Sequence, residues 1–303
     1  MIIAILLVGA SVFPTFLSAG YLLQQLQIAA FLGIVAVGAL VVVMIGHIDL
    51  SIPWTMTSAA IAATSVVGAG SAHVDTAAGY AIPIGLGVGA IIGLVNGIGV
   101  AILRVPAMIW TLGINAVILG LSIFVTGGFA PAGVASPLMR TLAVGRTFGV
   151  SNAVFVWIGV SVIASLILRR SYVGRAVISI GNGEKAAYLA GVGTQGIVVL
   201  VFIFAGMCSA LGGMLLAGYS NQAYQTMGDP YLLPAVAAIV IGGTSIQGGS
   251  GSVIGMVLGV IFVTLLTSVL SVMQMPAPHR QIIYGLVVLI TLLIYGRMRH
   301  ETV

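Results

Sequence analysis

Gly181-Asn182-Gly183-Glu184-Lys185-Ala186-Ala187-Tyr188-Leu189-Ala190-Gly191 is the most polar conspicuous stretch of a chain in which only 5% of residues are charged. With Arg169, Arg170 and Arg175 just before it, the stretch holds five of the fifteen Lys, Arg, Asp and Glu residues. Asn182 reads as an N-cap, Glu184 sits in a first turn where the helix dipole favours an acid, and Gly191 reads as a stop. A helix of about two turns follows, too short to be stable alone. Ala186, Leu189 and Ala190 share one face, with Glu184, Tyr188 and Gly191 towards another. Two readings are open: a solvated basic loop that fixes topology, or a docking helix that lies against a protein surface.

Outward from this stretch the chain is apolar. Hydrophobic residues make up 60% of 303 positions and the mean hydropathy is +1.25, far above what a soluble domain carries. The composition therefore predicts an all-α polytopic membrane protein. The 42 glycines suit close helix packing in lipid. A pI near 9.7 does not point to nucleic acid, because the basic residues are scattered and form no stripe. Cys208 is the single cysteine, which excludes an intrachain disulfide and a cysteine metal cluster.

Hydropathy divides the chain into about ten transmembrane segments: 1–18, 24–45, 54–68, 79–103, 107–126, 152–168, 194–218, 233–246, 253–274 and 280–296. The first lacks a basic leader and reads as a span rather than a cleaved signal peptide. A turn is expected at Gly70–Thr76 and a polar connection over 127–151, with Pro131, Pro137, Arg140 and Arg146. Two segments are interrupted. Gly46-His47-Ile48-Asp49-Leu50-Ser51-Ile52-Pro53 breaks one run, and Gly242-Gly243-Thr244-Ser245 with Gly248-Gly249-Ser250-Gly251-Ser252 breaks the short run 233–246. Broken helices are admissible only where they are buried in protein or line water. Paired breaks in two halves of a chain point to a transport site. With 169–193 in the cytoplasm, alternation puts Arg104, Arg297 and Arg299 there too, with both termini inside. No composition shift marks a second domain, so 1–303 reads as one transmembrane domain.

Catalytic patterns are missing from the sequence. Lys185, the only lysine, has no phosphate-binding Gly-rich loop before it, and neither a His-Glu-x-x-His nor a Gly-x-Ser-x-Gly occurs. The chain therefore reads as no enzyme, binding neither ATP nor another cofactor itself. Asp49 is either a turn acid or a pathway residue, and the latter is what an ion-coupled carrier requires of an intramembrane acid. Asn96, Thr111 and Asn115 are either interhelical hydrogen-bonding groups or contacts for a polar solute. Trp54, Trp110 and Tyr284 read as packing or interfacial residues.

Five stretches in order resemble the ribose-type (monosaccharide) permeases of ABC importers. They are Gly46–Ser51, Val105-Pro106 with Thr111-Leu112-Gly113, Leu119-Gly120 through Thr126–Gly128, the run from Gly181 to Val192, and Ile241–Ser245 with Gly248–Ser252. Glu184-Lys185-Ala186-Ala187 followed by Gly191 is similar to the EAA-type coupling loop of such permeases. His47 and Pro53-Trp54 depart from the family pattern. The resemblance implies a fold like that of type II ABC importers and a bacterial inner-membrane permease subunit that moves a monosaccharide or sugar-like solute inward. It also implies ATPase subunits that bind ATP and Mg, a second permease copy or homologue, and a periplasmic sugar-binding protein, all within membrane lipid. Gly183, Glu184, Lys185, Ala186, Ala187, Tyr188 and Gly191 would couple to the ATPase. Asp49, Ser51, Asn96, Thr111, Asn115, Thr244 and Ser245 would line the route. A branched-chain amino acid permease of the same superfamily and an ion-coupled secondary transporter are the alternatives.

Overall fold

A computed structural model describes residues 2–67, 79–128, 133–276, 278–286 and 289. The described residues are mainly helical. In order come α1 (Ile2–Val12), α2 (Ala19–Met44), α3 (Ile52–Ser65), α4 (Ala81–Ala101), α5 (Ala107–Thr126), α6 (Pro137–Val144), the hairpin β1 (Arg146–Thr147) and β2 (Val150–Ser151), and α7 (Asn152–Arg170). Then follow α8 (Tyr172–Asn182), α9 (Glu184–Leu189), α10 (Thr194–Ser220), α11 (Leu232–Ile241) and α12 (Val253–Val272). Residues 278–286 are also helical.

Six of these helices, α2, α4, α5, α7, α10 and α12, are long and apolar enough to cross a membrane. Their burial separates their roles. In α2, 89% of the apolar window is buried, against 11% in α5, so α2 is the central post and α5 a peripheral helix. Beside α2 stands α10, which packs against α2, α3 and α4. It does so through small residues: a Cβ at Gly38 of α2 would lie 2.9 Å from the Ala205 Cα. Gly89, Gly93 and Gly97 of α4 meet Gly206, Phe202 and Val199 of α10 backbone to backbone, which makes the two helices antiparallel. Such close approach is how helices gain contact in lipid, where no hydrophobic force draws them together.

One end of the bundle gathers the C-terminus of α2, the N-terminus of α12 and the α8–α9 stretch: Gly249 N donates to Met44 O at 2.9 Å, and Gly181 abuts both residues. Arg104, Glu184 and Lys185 line one cleft at this end. The opposite end holds α6 and the hairpin, where Gln27 Nε2 donates to Ala143 O at 2.7 Å and Gly218 packs on the Met139 carbonyl. Arg140 and Arg146 are therefore at the other end from Arg104 and Lys185.

Several expected spans are shorter than hydropathy implied. Residues 1–18 give the 11-residue α1, about 16 Å long against roughly 30 Å of hydrocarbon. Pro14, with no N–H to donate, opens a 3₁₀ turn there. The segment at 54–68 is α3, only 14 residues. The connection 127–151 is not merely polar loop. Ser136 caps α6 by accepting from Met139 N at 3.2 Å, and Phe148-Gly149, both at positive φ, turn the hairpin. Residues 169–193 are also largely helical, because Ser171 accepts from Gly174 N at 3.2 Å and starts α8 directly after α7. The turn at 70–76, Pro131, and Arg297 and Arg299 lie outside the described residues, as does most of 280–296. Trp54 is buried, and Trp110 packs on Gly99 with its Nε1 donating to Val95 O, so both act in packing.

Candidate coupling helix and broken-helix site

The α9 helix is short, and its ends are built by backbone rather than side chains. Asn182 is not the N-cap that the sequence suggests. It is the last residue of α8, and its Nδ2 donates back to Ile178 O at 2.9 Å. Gly183 takes the cap position without a side-chain bond. At the other end Gly191 does stop the helix: at φ +85° it donates to Tyr188 O, while Val192 N donates to Ala187 O. That pair of bonds is the Schellman arrangement, which satisfies the last carbonyls and favours glycine.

The helix has two unlike sides. Ala187 is buried against the chain, so it seats α9 rather than presenting itself to a partner. Glu184, Lys185, Ala186, Tyr188 and Leu189 face outward, with Tyr188 at 68% and Leu189 at 80% exposure. Tyr188 and Leu189 thus form a small apolar surface on a six-residue helix. Leu189 lies outside the set that the resemblance implies for coupling, and its exposure follows from the seating of Ala187 two positions earlier.

Beside α9 opens a cleft of about 1170 Å³ lined by Gly46, His47, Arg104, Glu184, Lys185 and Tyr188, among others. His47 lies just beyond α2, its ring centroid 6.3 Å from that of Phe202. Burial lowers its pKa below the ordinary 6.5, and the Glu184 carboxylate opposes this in part. The imidazole is therefore held neutral near pH 7.

The first break is fastened by a polar network that brings five expected pathway residues together. Asp49 Oδ1 accepts from Ser51 N at 2.8 Å and from Ser51 Oγ at 2.7 Å. Asn96 Nδ2 of α4 donates to Ser51 Oγ at 2.7 Å. From α5, Thr111 Oγ1 accepts from Leu50 N at 2.9 Å and Asn115 Oδ1 accepts from Trp54 N at 3.3 Å. Asp49, Ser51, Asn96 and Thr111 are buried, and Asn115 is half-buried. The interhelical reading of Asn96, Thr111 and Asn115 thus describes their contacts within one chain. Among the described residues Asn96 Oδ1 and Thr244 Oγ1 are buried without a hydrogen-bond partner.

Thr244 and Ser245 belong to the second break, between α11 and α12. Thr244 N donates to Ile239 O and Ser245 N donates to Ser250 O at 3.1 Å, closing a compact loop. Asp229 sits exposed in a 3₁₀ turn before α11, next to Gly228, whose N–H donates to Thr57 Oγ1.

Residues 21–292 match the family model described as branched-chain amino acid transport system / permease component. The ribose import permease protein of Haemophilus influenzae is 28% identical over 298 residues, covering 96% of this chain and 90% of that one. The ribose import permease protein of Bacillus subtilis is 30% identical over 282 residues, 93% of this chain and 86% of that one. The autoinducer 2 import system permease protein of Escherichia coli (strain HS) is 32% identical over 297 residues, 95% and 84% respectively. No solved structure matches the chain. Similarity along nearly the whole length, over a helical bundle with two broken segments and an outward-facing short helix, has one consequence: the chain belongs to the branched-chain amino acid transport system / permease component family, as a ribose-type ABC permease subunit.

Proposed function

We propose that this permease subunit imports a monosaccharide or sugar-like solute across a bacterial inner membrane, driven by ATPase subunits that carry ATP and Mg. The exposed face of α9 supports this reading most directly, because a helix seated through Ala187 leaves Tyr188 and Leu189 open for another protein to cover. Glu184, Lys185, Ala186, Tyr188 and Leu189 dock the ATPase, while Gly183, Ala187 and Gly191 hold the helix in shape. The α8–α9 end faces the cytoplasm, since Arg104, Arg169, Arg170, Arg175 and Lys185 belong to it. Residues 1–303 work as one transmembrane domain.

The route runs past the two breaks, with Asp49, Ser51, Asn96, Thr111, Asn115, Thr244 and Ser245 nearest to it. The thinly covered α5 turns towards a second permease copy or homologue, and a periplasmic sugar-binding protein delivers the solute at the α6 end. The sugar class follows the printed names of the ribose import permeases. The family model's description keeps a branched-chain amino acid as the second reading.

Purification of the tagged chain from native membranes in mild detergent tests this. A P-loop ATPase should co-purify and be lost from Leu189→Asp with the permease yield unchanged. An ATPase-free chain whose uptake collapses with an ion gradient would refute it in favour of an ion-coupled carrier. Competition of uptake by ribose against leucine then separates the two solute classes.

A further inference from the structure

Three segments far apart in sequence meet backbone to backbone at the α9 end of the bundle. Met44 O, at the end of α2, accepts from Gly249 N of the second break at 2.9 Å. Gly181, in the last turn of α8, lies so close that a Cβ there would clash with both the Met44 carbonyl and the Gly249 amide. Gly248, at φ +90°, would carry a Cβ 2.8 Å from Gly46 N of the first break and 2.9 Å from Gly181 O. Asn182 completes the junction, its side-chain amide pressed on Gly249, and is followed directly by Gly183 and α9. Neither break has slack here: the first is tied by the Asp49 network, the second by the Ser245 N to Ser250 O bond.

We infer that the junction of Gly46, Gly181, Gly248 and Gly249 is the mechanical link through which displacement of α9 reaches both broken helices at once. The inference rests on the reading that α9 docks an ATPase. Packed backbones with no intervening side chain transmit displacement because nothing between them can yield by changing rotamer, and interiors at this density deform little. A push on α9 moves Asn182 and Gly181, and these bear on Met44 and Gly249 together. The two breaks therefore move as a pair.

The test uses the complete transporter, with its ATPase and binding protein, reconstituted in vesicles. Gly181 lies in α8, outside the docking face. In Gly181→Ala the ATPase should stay bound and hydrolyse ATP within about twofold of the unmodified complex, while uptake per ATP falls by about 5- to 150-fold, the usual span of a coupling between sites. Uptake per ATP unchanged, or uptake falling only in step with bound ATPase, would overturn the inference.

A second measurement needs no variant. Hydrogen exchange of the unmodified complex, with and without a non-hydrolysable ATP analogue, should change together in peptides covering 44–48, 181–183 and 246–250. A change confined to 183–191 would also overturn it. Failure of the docking reading looks different: no ATPase would accompany even the unmodified chain, and the inference would fall with it.

Discussion

Ser51→Ala isolates what fastens the first break. The Ser51 hydroxyl is fully buried and makes two bonds of 2.7 Å, donating to Asp49 Oδ1 and accepting from Asn96 Nδ2. Its removal orphans an amide whose Oδ1 already lacks a partner, and costs Asp49 one of its two bonds. Leaving a buried donor unsatisfied costs about 1–3 kcal/mol. Interhelical pairs in bilayers average only about 0.6 kcal/mol, because the chain inserted but not packed finds other partners. Asn96 is helical in α4 and Ser51 lies at a break, so an alternative partner for the amide must come from elsewhere; the expected cost is about 1–2 kcal/mol, or roughly a 5- to 30-fold change in the folded ratio. Replacing both partners should recover part of it, since paired apolar substitutions leave nothing unsatisfied. The assay is a double-mutant cycle of Ser51→Ala and Asn96→Leu, by reversible unfolding in mixed micelles followed by tryptophan fluorescence. Coupling of about 0.5–2 kcal/mol is expected for residues in direct contact. Strict additivity, or a loss under about 0.3 kcal/mol for Ser51→Ala, would show that this network does not hold the break.

Three further outcomes follow from the packing and electrostatics. Gly89→Val should lower the thermal midpoint of the purified chain, at a cost of about 1–3 kcal/mol, because its side chain meets the Gly206 carbonyl; an unchanged midpoint contradicts the close α4–α10 approach. Ala187→Trp should unseat α9 and expose 183–192 to limited proteolysis, whereas Ala186→Trp on the outer face should leave that stretch protected. His47 titrates below its ordinary 6.5 in the folded chain, so the unfolded chain binds its proton first as pH falls. Its contribution to stability is therefore complete above about pH 6.5 and is lost on acidification below it, and His47→Phe should remove that component of a stability-against-pH profile.

Hydropathy and glycine content are enough to read the membrane class and the all-α architecture, because the bilayer demands long apolar helices whatever their packing. Both interruptions were legible for a similar reason: Gly46-His47 with Asp49, and Gly242-Gly243 with Gly248-Gly249, place polar and φ-permissive residues where an unbroken span would carry neither. Gly191 was legible as a stop, since a positive φ at that position favours glycine. What hydropathy cannot report is direction. It sees neither that Pro14 cuts the first run to 11 residues, because the run is apolar on both sides of the proline, nor that 172–182 is a separate helix, because a polar connection and a short capped helix share one composition. The inward turn of Ala187 and the outward turn of Leu189 depend on how α9 is seated, and two turns of helix fit either orientation. Least legible was the meeting of Met44, Gly181 and Gly249: glycines mark close approach without naming a partner. Sequence alone determined that this protein crosses a membrane, breaks two helices and carries a short helix ending at Gly191, through composition and local backbone preference. Only the tertiary structure decided that the two breaks and that helix touch, because contacts between remote backbones leave no periodicity in the chain.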